Sequence, residues 1–266
     1  YFVEGQYVEP GEYVFDKQNN NASYKQIAFT STTNSVGVGS TQHQVPAIFA
    51  WMTHEPDVTI RALRTKEGDG LPDGKGHVAY LVTNNGDGTW HYEYSVHNQN
   101  SHRSFSSFTV PVPDCVNVSN IEFHDVDYHS GEPIEGTDWT NTRGAGELTW
   151  STQKFAENPN ANAIRWASMY TFRFDADSPP SPANGSCAYY RDGAVPDITF
   201  QISVPADDCE AGCPADLDGD GVVAVGDLLA CISYWGAANG DGDVDDDGVC
   251  GVSDLLAIIA AWGNDC

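Results

Sequence analysis

The chain has 266 residues, 40% of them hydrophobic, enough for one large domain with a small companion and too many for a wholly disordered chain. Its 38 acidic residues against 12 basic ones give a formal charge of −26, which rules out nucleic acid and anionic membrane surfaces as partners. The same balance suits a secreted, extracellular or cell-surface protein that collects divalent cations.

The chain opens on Tyr1 rather than Met, which reads as a processing or fragment boundary. Its first residues, YFVEGQYV, alternate apolar and polar side chains around Gly5. This predicts a strand that either closes its own sheet or adds to the edge of a neighbouring copy. Strands are next predicted at 44–51 and 57–65. GHVAYLVTN (76–84) and WHYEYSVH (90–97) form a predicted hairpin through Asn85-Gly86-Asp87-Gly88. In the second arm Trp90, Tyr92, Tyr94 and Val96 alternate with polar residues, the pattern of a half-buried strand.

Further strands fit 104–112, 118–128, 146–152, 164–175 and 197–204. With no long helix among them, residues 1–204 read as an antiparallel β-sandwich or jelly roll. Glu122-Phe123-His124-Asp125-Val126-Asp127-Tyr128-His129 is the best place in this region for a second site. As a strand it would put Asp125, Asp127 and His129 on one face, able to hold a cation or sugar, or simply to hydrogen-bond turns. Trp139 and Trp150 are candidates for stacking on sugars or for the core. SPPSPANGS (178–186) reads as a surface loop, and PADDCEAG (205–212) as a linker. No serine-hydrolase elbow, zinc-protease helix or phosphate loop occurs, so no catalytic residue is assigned.

Residues 213–266 are different. DLDGDGVVAVGDLLA (216–230) returns as DVDDDGVCGVSDLLA (243–257). Both copies fit the calcium-loop template D-x-[DN]-x-[DN]-G-x5-[DE]. The first offers Asp216, Asp218, Asp220, the carbonyl of Val222 and Asp227. The second offers Asp243, Asp245, Asp247, the carbonyl of Val249 and Asp254. Alternating carboxylates supply the hard oxygens calcium needs, and Gly221 and Gly248 permit the sharp turn. Two calcium ions are expected. Each loop runs into an apolar helix that stops at Gly236 or Gly263.

This tandem arrangement resembles a dockerin, an EF-hand-like module that folds around calcium and docks onto a protein partner in bacterial assemblies. The resemblance implies the ligand residues just named. Loop positions 10 and 11 hold Val225-Gly226 and Val252-Ser253 where cellulosomal relatives carry Ser/Thr, and no Lys or Arg follows Arg191. A cellulosomal cohesin is therefore not the expected partner. Stretches such as STQHQVPAIFAW (40–51) and NPNANAIRWASMYTFRFDAD (158–177) also resemble a family of secreted bacterial proteins of unassigned activity.

Seven cysteines, five of them within residues 209–266, imply disulfides and an oxidising compartment. Cys213–Cys266 and Cys231–Cys250 are the preferred pairs, with Cys115–Cys187 as a third, and connectivity stays open. The leading functional expectation is a non-enzymatic structural subunit, such as a fibre subunit, that contacts neighbouring copies through a calcium-dependent connector. A carbohydrate-binding module tethered by its dockerin is the alternative, and a polysaccharide-degrading enzyme the third reading.

Overall fold

The computed structural model describes residues 1–7, 18–32, 34–66, 72–126, 131–207, 213–237, 242–245 and 247–263. The chain divides into two compact units, Tyr1–Asp207 and Asp208–Cys266. Among the described residues no helix is long and apolar enough to cross a membrane.

Unit one is mainly β, with every described strand pair antiparallel. Its strands are β1 (Phe2–Gln6), β2 (Ala22–Phe29), β3 (Ser35–His43), β4 (Thr59–Lys66), β5 (Pro72–Asn84), β6 (Trp90–Asn98), β7 (Ser107–Pro111) and β8 (Val118–His124). They continue with β9 (Thr140–Gly144), β10 (Glu147–Ser151), β11 (Ser168–Ala176), β12 (Pro180–Ala188) and β13 (Asp197–Pro205). Two five-stranded sheets, ordered β4-β5-β6-β11-β8 and β13-β12-β7-β10-β9, accompany a three-stranded sheet β1-β2-β3.

The two larger sheets share one aromatic core, the arrangement of a β-sandwich. Phe108 on β7 lies 4.7 Å from Phe172 on β11 by ring centroids, and Trp150 on β10 lies 5.3 Å from the same ring. Tyr92 and Tyr94 bury their rings while their hydroxyls donate to the carbonyls of Ser178 and Ser203, so neither polar tip is orphaned. Trp139 and Trp150 are both core residues, 4% and 0% exposed.

The β5–β6 hairpin turns where the Asn-Gly-Asp-Gly stretch places it. Gly86 and Gly88 take φ values of 81° and 94°, in the left-handed region that favours glycine. The single buried face expected for β6 is incomplete, because Ser95 and His97 on the opposite face are buried as well. That face is covered by Ile48, Val58 and the residues around them.

The covering segment corrects the strand expected at 44–51. It is a 3-10 turn (Ala47–Phe49) continuing into α1 (Ala50–His54). Pro46, Ile48 and Ala50 are alternately buried, so the stretch carries a strand's period in burial without a strand's backbone. SPPSPANGS is corrected in the other direction: it forms most of β12. Pro180 and Pro182 fit there because β12 pairs along its length with β13, while its pairing with β7 is confined to Ser186 opposite Thr109. A proline lacks the N–H that a second ladder would require. Gly185 makes the close approach possible, since a Cβ there would sit 2.6 Å from Ile202 Cδ1 and 3.0 Å from the Thr109 carbonyl oxygen. β1 pairs within the chain, along β2.

In unit two the helices are α2 (Val225–Ser233) and α3 (Val252–Ala260). A small core of Ala215, Val223, Cys231, Cys250 and Ile258 lies between the repeats.

Candidate metal centre

Each acidic loop is tied together by its own carboxylates. At the first position Asp216 accepts the N–H groups of Gly219 (2.9 Å) and Gly221 (3.0 Å), folding the loop back on itself. Asp243 does the same for Asp247 (3.1 Å) and Gly248 (2.9 Å). Gly221 and Gly248 sit at φ 88° and 94°, which is why the sixth position is glycine.

The twelfth-position aspartates organise the rest. Asp227 accepts Leu217 N–H at 2.7 Å and Asp218 N–H at 3.2 Å on one oxygen, and Ala224 N–H at 2.7 Å on the other. Asp254 repeats this with Val244 (2.6 Å), Asp245 (3.2 Å) and Gly251 (2.6 Å). Both carboxylates therefore close the loop and cap the first turn of the following helix at once. Both are fully buried. Burial pushes the Asp227 carboxyl upward, but its backbone donors outweigh that and hold it below the usual carboxylate range. For Asp254 the Gly251 N–H leads the same downward shift.

The carboxylates converge as a cation shell requires. Ligand oxygens of Asp243, Asp245, Asp247 and Asp254 lie within 4.8 Å of one another, as do those of Asp216, Asp218 and Asp227. Calcium–oxygen bonds of about 2.4 Å place opposite ligands about 4.8 Å apart, so the spread fits one ion per loop. An all-oxygen set without His or Cys favours a hard cation over zinc. At Asp218 desolvation, joined by the charges of Asp220, Asp227 and Asp216, outweighs the Asp220 N–H it accepts and raises its pKa. Asp220 falls outside the converged group, with its Oδ1 taking the Val222 N–H at 3.0 Å. Asp247 makes the equivalent contact with Val249 at 2.9 Å while remaining inside its group. The backbones of Val222 and Val249 are thus fixed by their own loops.

The repeats clasp each other crosswise. Gly236, after α2, donates to the Cys250 carbonyl at 2.8 Å, and Gly263, after α3, donates to the Val223 carbonyl at 2.9 Å. Each helix stop is therefore also the tie to the opposite loop.

The cysteines depart from the expected scheme. Cys187 is a free, fully buried thiol, which overturns Cys115–Cys187. Cys231 and Cys250 are neighbours as expected but remain thiols, with sulfurs 3.6 Å apart. Cys115 and Cys213 are each in a disulfide. Cys209 and Cys266 lie outside the described residues.

The second candidate, 122–129, is also redrawn. The strand ends at His124, so the face-sharing argument stops there. Phe123 packs against Trp139, Tyr170 and Phe172. Glu122 faces Arg173 at 3.6 Å, and Asp125 accepts the Asn162 side-chain amide. Asp127 and His129 lie outside the described residues.

Sequence reasoning missed one feature of unit two. The apolar residues of its helices do not form a single buried stripe. Val225, Leu229 and Ile232 on α2, and Val252, Leu256 and Ile259 on α3, are all exposed. The signal was present in the consecutive pairs Leu228-Leu229, Leu255-Leu256 and Ile258-Ile259, which load two faces of a helix rather than one. No protein-family model matches this chain, and no curated protein matches it.

Proposed function

We infer that the chain is a non-enzymatic subunit of an extracellular assembly, with unit two as a calcium-dependent connector of the dockerin kind and the β-sandwich as its body. The observation that carries this reading is the duplicated apolar surface. Equivalent residues of the two repeats, Leu229 and Leu256 at 62% and 59% exposure, stand in the same exposed i, i+4, i+7 pattern on each helix. Exposed stripes of this kind are what an interface covers.

Calcium would act first on the fold. Residues 208–266 contain 13 acidic residues and no Lys or Arg. Bound ions would offset that repulsion and hold the loops that launch both helices, so the apolar stripes are presented only in the calcium form. A second copy of the chain is the partner this reading favours, consistent with a structural subunit.

Sedimentation velocity of the full chain tests it. In calcium the protein should associate, in chelator it should run as a monomer, and the Leu229→Ser/Leu256→Ser double variant should stay monomeric while still binding calcium. A monomer under every condition, at the highest soluble concentration, would overturn the self-assembly reading.

A further inference from the structure

Unit one contains a surface cleft of about 370 Å³ whose lining contrasts with the rest of the chain. Arg165 and Arg191 both border it, as does Trp166, 48% exposed. With acids outnumbering bases about threefold, an arginine here has carboxylates in plenty to choose from. Yet neither Arg165 nor Arg191 pairs with a carboxylate among the described residues.

Both guanidinium groups are instead held by neutral partners. One terminal nitrogen of Arg165 donates to the carbonyls of Pro159 (2.9 Å) and Ala161 (3.0 Å) and to the Tyr190 hydroxyl (3.1 Å). The Arg191 guanidinium lies 3.8 Å above the Phe155 ring. The Nε atoms of both are buried and without a hydrogen-bond partner. Among the described residues, positive charge fixed by carbonyls and ring faces is thus left without a carboxylate partner, open to an anion.

The walls are rigid. Ser104 and Ala167 adopt φ values of 56° and 57°, a conformation unfavourable to a non-glycine residue that persists where surrounding contacts enforce it. The Ala167 N–H donates to Asn98 at 2.8 Å, and the Ser168 hydroxyl donates to the Arg165 carbonyl at 2.7 Å, closing the turn that presents Trp166. Opposite, Tyr190 N–H donates to Ser104 and Arg191 N–H to Arg103, both at 3.0 Å. The His102 ring meets the indole edge-on, 6.5 Å between centroids.

We propose that this cleft binds an acidic saccharide, a pyranose carrying a carboxylate or sulfate, with the anion on Arg165 and Arg191 and the sugar face on Trp166. A half-exposed indole offers a flat apolar surface for a ring's C–H face. Glu132, also on the lining, supplies an acceptor for ring hydroxyls. The volume falls at the lower end of small-ligand sites, about 300–1,000 Å³, and has room for a short saccharide. The chain's overall negative charge opposes a polyanion at long range. At physiological ionic strength that field is screened within about 8 Å, leaving the arginines in control of the cleft. The inference is independent of the calcium connector, because every cleft residue belongs to Tyr1–Asp207.

The test is calorimetric titration of the full chain, in chelator, with short uronate, sulfated and neutral oligosaccharides. Chelator prevents calcium from bridging a glycan to the aspartate loops, so the outcome does not depend on unit two. At least one of the acidic ligands should bind and the neutral one should not, and the two acidic arms identify the anion. Trp166→Ala and Arg191→Gln should each weaken binding by about tenfold or more, the scale of one lost charge-assisted or stacking contact. Arg191→Lys should recover part of the loss. No binding of either acidic ligand would overturn the proposal, as would binding that both variants leave unchanged.

Discussion

The two units are held together by different means. Unit one closes over a continuous aromatic and aliphatic core in which Tyr92, Phe108, Trp150 and Phe174 are all fully buried. Among the described residues, the core of unit two holds five buried hydrophobic side chains, two of them cysteines, while Leu229, Ile232, Leu256 and Ile259 stay exposed. Its most organised interior groups are carboxylates, Asp227 and Asp254, each gathering three backbone N–H donors. A segment this short buries too little apolar surface to be stable alone and needs a staple. If the acidic loops hold ions as proposed, one chain pairs a domain stabilised by burial with one stabilised by cations, and each should fail under a different stress.

Chelation should give the largest effect. Unit two is expected to lose its cooperative melting transition while unit one keeps its own, readable by calorimetry on the intact chain. Asp227→Asn and Asp254→Asn should each remove one ion from a stoichiometry of two. Trp150→Ala tests the other side of the comparison. Emptying that site should cost unit one about 3–5 kcal/mol and leave calcium stoichiometry unchanged.

Acid should act on unit one through a buried histidine pair. His77 and His97 are nearly solvent-free, with Nδ1 atoms 3.4 Å apart. Burial, with the neighbouring charges of His97 and Lys75, pulls His77 down to about 3, and burial alone pulls His97 down to about 4. Both are neutral in the folded state at pH 7, where the contact requires one ring to donate and the other to accept. Below the ordinary value of 6.5 the unfolded chain takes up protons that the folded chain refuses. Stability present above pH 6.5 should therefore be lost as pH falls toward the folded values, by about 2–3 kcal/mol per histidine near about pH 4.5. His97→Asn should reduce that slope, and an unchanged melting temperature across the interval would contradict the pair.

Smaller effects sharpen the same contrast. Gly185→Ala should cost unit one about 1–3 kcal/mol, as Ile202 and the Thr109 backbone are forced apart. Leu229→Ser should change the stability of unit two by no more than about 0.5 kcal/mol, because its side chain is already exposed.

The convergence of the acidic loops was more legible in the sequence than the fold was. A calcium loop is local: twelve consecutive residues carry its ligands and its turn, so Asp243, Asp245, Asp247 and Asp254 could be named from spacing alone. The β-hairpin at Asn85–Gly88 was legible for the same reason. β12 was not, because Pro180 and Pro182 are tolerated only where the ladder to β7 does not reach them, a fact of sheet register. The 47–54 segment misled because its apolar period matches a strand, while the turn begins at Pro46. The arginine cleft gathers residues from 102 to 191, and no local pattern announces it.

Three buried free thiols report directly on the contrast between the units: Cys187 in unit one, Cys231 and Cys250 in unit two. Labelling the native chain with a thiol reagent, followed by peptide mass spectrometry, reads all three in one experiment. In calcium all three should stay protected. In chelator Cys231 and Cys250 should react while Cys187 remains protected. Continued protection of Cys231 and Cys250 without calcium, or reaction of Cys187 in step with them, would contradict the claim that ions hold unit two and burial holds unit one.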